Sequence, residues 1–195
     1  MNGKLDSLKS AIIKVRDARG FVIKHDHERL VITSGHCLPF IPPCHRSRYV
    51  EEAMYHDLLG KIGDAPSVSV LCIFINPIDD IAVLSSPDEQ SYFEEAEEYW
   101  ELMDNLPVIQ IGVIEINQPV WLLDLDQEWR QSTAKFLTDK DVAIENKSEL
   151  IKRGMSGSPI LNGYGHAVGV VSVETNIGVS SNPYLRGSLP AWLLN

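Results

Sequence analysis

Short apolar runs separated by polar or turn-forming residues dominate the chain. They fall at residues 11–15, 20–24, 30–33, 68–75, 81–84, 108–116, 120–123, 160–162 and 167–173, and most are rich in Val and Ile. Gly, Pro, Asn or Asp bound many of them, which is the pattern of strands that end in tight turns and build a barrel or sandwich. Helical periodicity is scarce. The clearest case is 94–106, where Trp100 and Met103 share one face and Pro107 closes the run. Residues 39–62 begin with Pro39, Pro42 and Pro43 and read as a loop followed by a short helix over 49–59. An acidic segment, 88–104, separates two groups of strand-like runs and cannot continue a sheet, so two lobes of similar size are expected, 1–106 and 107–195.

With 195 residues the chain can bury about 70% of its unfolded surface and needs no disulfide to hold a core. Hydrophobic residues at 44% and charged residues at 23% set it apart from disordered chains. A net charge of -10 and a pI near 5.0 repel phosphate backbones and anionic lipid, so nucleic-acid and membrane partners are not expected. The acid of 88–104 reads as a solvated face or, more sharply, as a docking site for a basic partner. Lys4, Asp6, Lys9 and Lys14 interrupt every apolar stretch near the start, and no run has the length of a membrane span. Cys37, Cys44 and Cys72 are odd in number, which fits reduced thiols and a cytoplasmic location. His25, Asp26 and His27 cluster, and Cys44 and His45 follow Cys37, but the spacings are not those of zinc sites. Lys24 to Glu28 fits a polar hairpin turn better, so neither a metal nor a cofactor is expected.

Three segments carry chemistry. In Gly154-Met155-Ser156-Gly157-Ser158-Pro159 a serine lies between glycines, where a tight turn exposes the hydroxyl and lets main-chain N–H groups converge on one point. Leu30-Val31-Ile32-Thr33-Ser34-Gly35-His36 is an apolar strand running into a histidine, and a base at the end of a buried strand is held in one orientation. Asp79-Asp80-Ile81-Ala82-Val83-Leu84 places acid directly before a buried strand. Each alone is explained by a turn or a structural histidine. Their order, His then Asp then Ser, discriminates, because the other known arrangements of this constellation begin with Asp or Ser.

These segments resemble those of the trypsin-like serine peptidases. Thr33-Ser34-Gly35-His36-Cys37 is similar to the family's TAAHC, Asp80-Ile81-Ala82-Val83-Leu84 to its D-[IL]-A-L-L, and Gly154 to Pro159 to its GDSGGP. Gly20-Phe21-Val22-Ile23 and Val168-Gly169-Val170-Val171-Ser172 resemble strands of bacterial members. The resemblance implies an all-β fold of two packed six-stranded antiparallel β-barrels with a few short helices. It also implies a serine endopeptidase that works through an acyl-enzyme, with Ser156 as nucleophile, His36 as base and Asp80 as the acid that orients it. Asp79 is the alternative acid. Gly154 and Ser156 N–H groups would form the oxyanion hole, and Ser172, Val173 and Glu174 an edge for an extended protein or peptide substrate.

Departures from the family pattern matter too. Met155 stands where digestive members carry the aspartate used in zymogen activation, so that activation is not expected. Cys37 has no upstream cysteine with which to form the family's disulfide. Counting six residues before the nucleophile puts Leu150 at the floor of the primary pocket, which suits an apolar substrate side chain, whereas Glu174 at its rim suits a basic one. Two rival readings stand beside the active peptidase. One is a silent module that binds peptides or proteins on the same fold. The other is a latent enzyme whose 145–153 loop waits for an activating partner protein.

Overall fold

The computed structural model describes residues 2–43, 50–87, 90–172 and 182–194. Strands β1 (Ile12–Val15), β2 (Ala18–His25), β3 (Glu28–Thr33), β4 (Met54–Gly60), β5 (Val68–Asn76) and β6 (Ile81–Ser85) close into a barrel in the order β1-β2-β3-β6-β5-β4. Strands β7 (Pro119–Leu123), β8 (Trp129–Leu137), β9 (Asp141–Ile144), β10 (Pro159–Asn162), β11 (Ala167–Val170) and β12 (Asn182–Pro183) form a second antiparallel sheet, ordered β11-β10-β7-β8-β9-β12. A bridge between Gly169 and Tyr184 brings its two edges together, so this sheet is nearly a barrel as well. Helices are short, the first being α1 (Asn2–Asp6) and the longest among the described residues α2 (Phe93–Met103). Two six-stranded antiparallel barrels with few helices are what the sequence led us to expect.

The apolar runs of β2, β3 and β6 are continuous because both faces of these strands are covered. Val22, Val31, Ala82 and Leu84 fill the first barrel. Phe21, Ile23, Leu30, Ile32, Ile81 and Val83 face outward, into a seam shared with Trp121, Leu123, Leu161 and Val170 of the second sheet. Each such side chain, fully removed from water, contributes about 1.5–3 kcal/mol. A third cluster, including Val120, Leu122, Val142, Met155 and Ile160, fills the second barrel.

Two local expectations are corrected. Residues 49–59 do not end in a helix: a single 3-10 turn at Val50–Ala53 leads into β4. The strand was masked by His56 and Asp57, which sit exposed at a register shift where Asp57 takes φ 51°, so two-residue alternation is broken. Residues 108–116 are not a strand. They are the connector between the barrels, Val and Ile-rich because Ile109 packs into the seam and Ile114 into the second barrel. Its main chain touches both sides, with Ile109 N–H donating to Val22 O and Gly112 N–H to Ala167 O.

Candidate active site

The β3–β6 register places the first half of the site. Val31 pairs with Leu84, Ile32 with Val83 and Thr33 with Ala82. Two residues further on, Gly35 comes alongside Asp80, and a Cβ on Gly35 would lie 3.4 Å from Asp80 Oδ1. The chain then turns through a 3-10 segment, Gly35–Cys37, that carries His36 back over the carboxylate. His36 N–H donates to Asp80 Oδ1 at 2.9 Å, and the ring nitrogen Nδ1 donates to Oδ2 at 2.7 Å. An ionised carboxylate only accepts, so this contact fixes a proton on Nδ1 and leaves Nε2 as the nitrogen that titrates. Ser172 Oγ donates to the same Oδ2 at 2.7 Å across the seam. Asp80 itself sits at φ 51°, a left-handed conformation that this short acid tolerates.

The electrostatics follow from these contacts. Burial pushes the Asp80 pKa up, but the bonds from the His36 ring, Ser172 and the His36 main chain outweigh it and hold the carboxyl below its ordinary value. The same bond to Asp80, then contact with the Cys37 side chain, push His36 up to about 10 against the opposing effect of its partial burial. Asp79 is turned to other partners. Its Oδ2 accepts from Asn76 Nδ2 at 2.8 Å and from Lys140 Nζ at 2.8 Å, so it is engaged as a cross-barrel ion pair.

The second half is a turn pressed against the first barrel. Met155 N–H donates to Lys152 O, Ser158 N–H to Met155 O and Gly157 N–H to Val171 O, while Ser156 O accepts from Arg19 N–H at 2.9 Å. Gly157, at φ 79°, lies so close that a Cβ there would be 1.8 Å from Arg19 O and 2.5 Å from Thr33 Oγ1. Gly154 has φ 96°, and among the described residues neither its N–H nor that of Ser156 donates to a protein acceptor. The Met155 side chain is fully buried in the second barrel, and its sulfur accepts from Lys152 N–H at 3.4 Å, anchoring the turn from behind. Ser156 and His36 line one cleft of about 400 Å³ with Gly154, Cys37, Arg16 and Arg153. Among the described residues Ser156 Oγ and His36 make no direct hydrogen bond.

The structure thus gathers His36, Asp80, Ser156, Gly154 and Ser172 at one place along the seam. Leu150 ends a short helix, Lys147–Leu150, and is not among the residues lining the cleft. Val173 and Glu174 lie outside the described residues. Two contributors went unnoticed in the sequence. Arg19, 4% exposed, donates from its guanidinium to Leu123 O at 2.7 Å and Asp124 O at 3.0 Å, tying β2 to the end of β7. Burial lowers its pKa, with Asp124 opposing. Ser34 Oγ donates to Val171 O at 3.0 Å, two residues before His36. Arg19 belongs to no recognisable pattern, and Ser34, though inside the segment that resembles TAAHC, gives no sign there of its cross-seam acceptor. Among the described residues no three His, Cys, Asp or Glu side chains converge as a metal site, and no helix is long and apolar enough to cross a membrane.

Two six-stranded barrels meeting at such a seam are the fold of the trypsin-like serine endoproteases. The chain is similar in structure to the serine endoprotease from Yersinia pestis, with a TM-score of 0.53 and 17% sequence identity, over 93% of this chain and 61% of that chain. It therefore spans less than two thirds of that protein's chain, and at this identity the likeness establishes the fold alone. No family model matches the sequence, and no curated protein does.

Proposed function

We propose that the chain is a trypsin-like serine endopeptidase that cleaves peptide bonds through an acyl-enzyme. Ser156 Oγ attacks the carbonyl carbon while His36 Nε2 takes its proton. Asp80, held by three donors, keeps the Nδ1 proton in place and stabilises the imidazolium that forms. The Gly154 and Ser156 N–H groups receive the oxyanion, each contributing about 2.7–4 kcal/mol of transition-state stabilisation. His36 then returns the proton to the departing amine, and water repeats the sequence on the ester. An extended substrate runs along Ser172, Val173 and Glu174, with Glu174 reading its side chain. Cys37 and Cys72 form no disulfide among the described residues, which fits a reducing, cytoplasmic setting.

The observation that carries this reading is the Asp80 carboxylate binding the His36 ring, the His36 main chain and Ser172 at once, with His36 lining the same cleft as Ser156. A second reading, a latent form that awaits an activating protein, rests on the lack of a direct bond between Ser156 and His36 among the described residues. Labelling with a fluorophosphonate probe separates the readings. Labelling of the chain alone that Ser156→Ala abolishes supports the active enzyme, and labelling that requires an added protein supports the latent one. No labelling at any pH leaves a peptide-binding module as the function.

A further inference from the structure

Helix α2 buries Ala96, Tyr99 and Met103 against the first barrel and presents another stripe to solvent. Phe93, Glu97, Trp100 and Asp104 recur along it at helical spacing, and the helical geometry continues through Asp104, whose N–H donates to Trp100 O at 2.8 Å. All four are exposed, Phe93 at 58% and Trp100 at 50%. Single exposed apolar residues are ordinary, but two large rings aligned with acids on one face mark a contact surface. Beside the stripe lies a groove of about 310 Å³, with Trp100 and Met103 on one side and Leu71 and Ile73 of β5 on the other. The Tyr99 hydroxyl fixes the helix there by donating to Arg29 O at 2.7 Å.

Charge selects the partner. α2 carries Glu94, Glu95, Glu97, Glu98 and Glu101 and neither Lys nor Arg, and among the described residues neither these carboxylates nor Asp104 form an ion pair. Glu94 with Glu98, and Glu97 with Glu101, are like charges one turn apart. Glu101 and Asp104 stand at the C-terminal end, where the helix dipole favours cations. Both arrangements cost stability, and a basic partner would offset them. Nucleic acid and anionic lipid are repelled by the same charge. A second copy of the chain would set one acidic helix against another.

We propose that the exposed face of α2 docks a basic, amphipathic segment of another protein. A Lys or Arg of that segment lies over the Trp100 ring between the Glu97 and Asp104 carboxylates, and an apolar side chain enters the groove against Ile73 and Met103. Arg29 also lines the groove, which keeps the cation outside it. No residue of this surface lines the cleft of Ser156, and the inference does not rest on the peptidase reading.

A short, fluorescein-labelled peptide of alternating lysine and leucine is a suitable probe, titrated with the full chain at physiological ionic strength while its fluorescence anisotropy is followed. Binding should be saturable. Trp100→Ala, and the double variant Glu97→Gln/Asp104→Asn, should each bind at least about tenfold more weakly. Glu115→Gln/Asp126→Asn, which removes the same charge from the exposed surface of the second barrel, should stay within about twofold of the parent. A lysine and serine peptide lacks the apolar groups and a glutamate and leucine peptide the cations, so each should lose at least about tenfold. Without peptide, Glu97→Gln/Asp104→Asn should melt no lower than the parent, because it keeps side-chain shape and relieves repulsion, and this also shows that the variant folds. The proposal is overturned by no saturable binding up to about 1 mM chain, by equal losses in the two double variants, or by unchanged binding in Trp100→Ala. Undiminished binding of either altered peptide, or a lower melting temperature for Glu97→Gln/Asp104→Asn, overturns it as well. So does dimerisation in sedimentation that Trp100→Ala abolishes, since the face would then belong to a second copy.

Discussion

The two halves of the site are held in different ways. His36 and Asp80 hang on adjacent strands of one closed barrel, and their meeting is fixed by three consecutive cross-strand pairs before either residue is reached. Ser156 sits on a turn outside regular structure, and its position comes from contacts with the other barrel, Arg19 N–H on its carbonyl and Gly157 packed against Arg19 O and Thr33. Sheet register makes His36 and Asp80 robust to local change, whereas Ser156 depends on how two surfaces fit.

Removing the chemistry itself gives the largest effect. Ser156→Ala or His36→Ala should lower turnover of a peptide substrate by roughly 10⁴ to 10⁶. Asp80→Asn should cost about 10⁴, while Asp79→Asn, which only breaks the Lys140 pair, should stay within about tenfold of the parent; the reverse ranking in steady-state kinetics would break the assignment of the acid. Gly157→Ala attacks the fit instead. With a Cβ driven into Arg19 O at a left-handed φ, unfolding in urea should show a loss of about 3 kcal/mol or more, against less than about 1 kcal/mol for an alanine at exposed Gly3, where space is open.

The pH dependence sharpens the base half. Only neutral His36 accepts a proton, so kcat/KM should rise as pH passes upward through its pKa, which lies above the ordinary 6.5. Asp80→Asn removes the larger cause and should move this acid limb downward, and Cys37→Ala should move it downward by less. A limb at or below 6.5 in the parent would contradict the coupling. The smallest effect belongs to Ser34→Ala, which loses one cross-seam bond to Val171 O and should cost about 1 kcal/mol by thermal melting, with the limb unmoved.

What could be read from the sequence follows the same division. β2, β3 and β6 were legible because both their faces are buried and their composition is almost wholly apolar. β8 was not: its buried residues are Ser132 and Ala134, small side chains that leave no hydrophobic alternation in Trp129–Leu137. β12 is too short to stand out, at 2 residues, and β9 buries only Val142 and Ile144, with Asp141 and Glu145 beside them. His36, Asp80 and Ser156 announced themselves by their flanks, because a residue at a strand end or between glycines leaves a local trace. Arg19 and Ser34 left none, since their partners lie 104 and 137 positions away and a long-range main-chain acceptor has no side-chain identity to recognise. The bond from Ser172 to Asp80 was likewise invisible, and Ser172 was assigned to the substrate edge alone.

For the proposed peptidase, the Arg19 bond to Ser156 would make turnover a gauge of docking between the lobes. Warming that loosens the seam should silence the hydroxyl while each β-sheet still gives its full circular-dichroism signal, so loss of turnover would report separation of the halves well before either one melts.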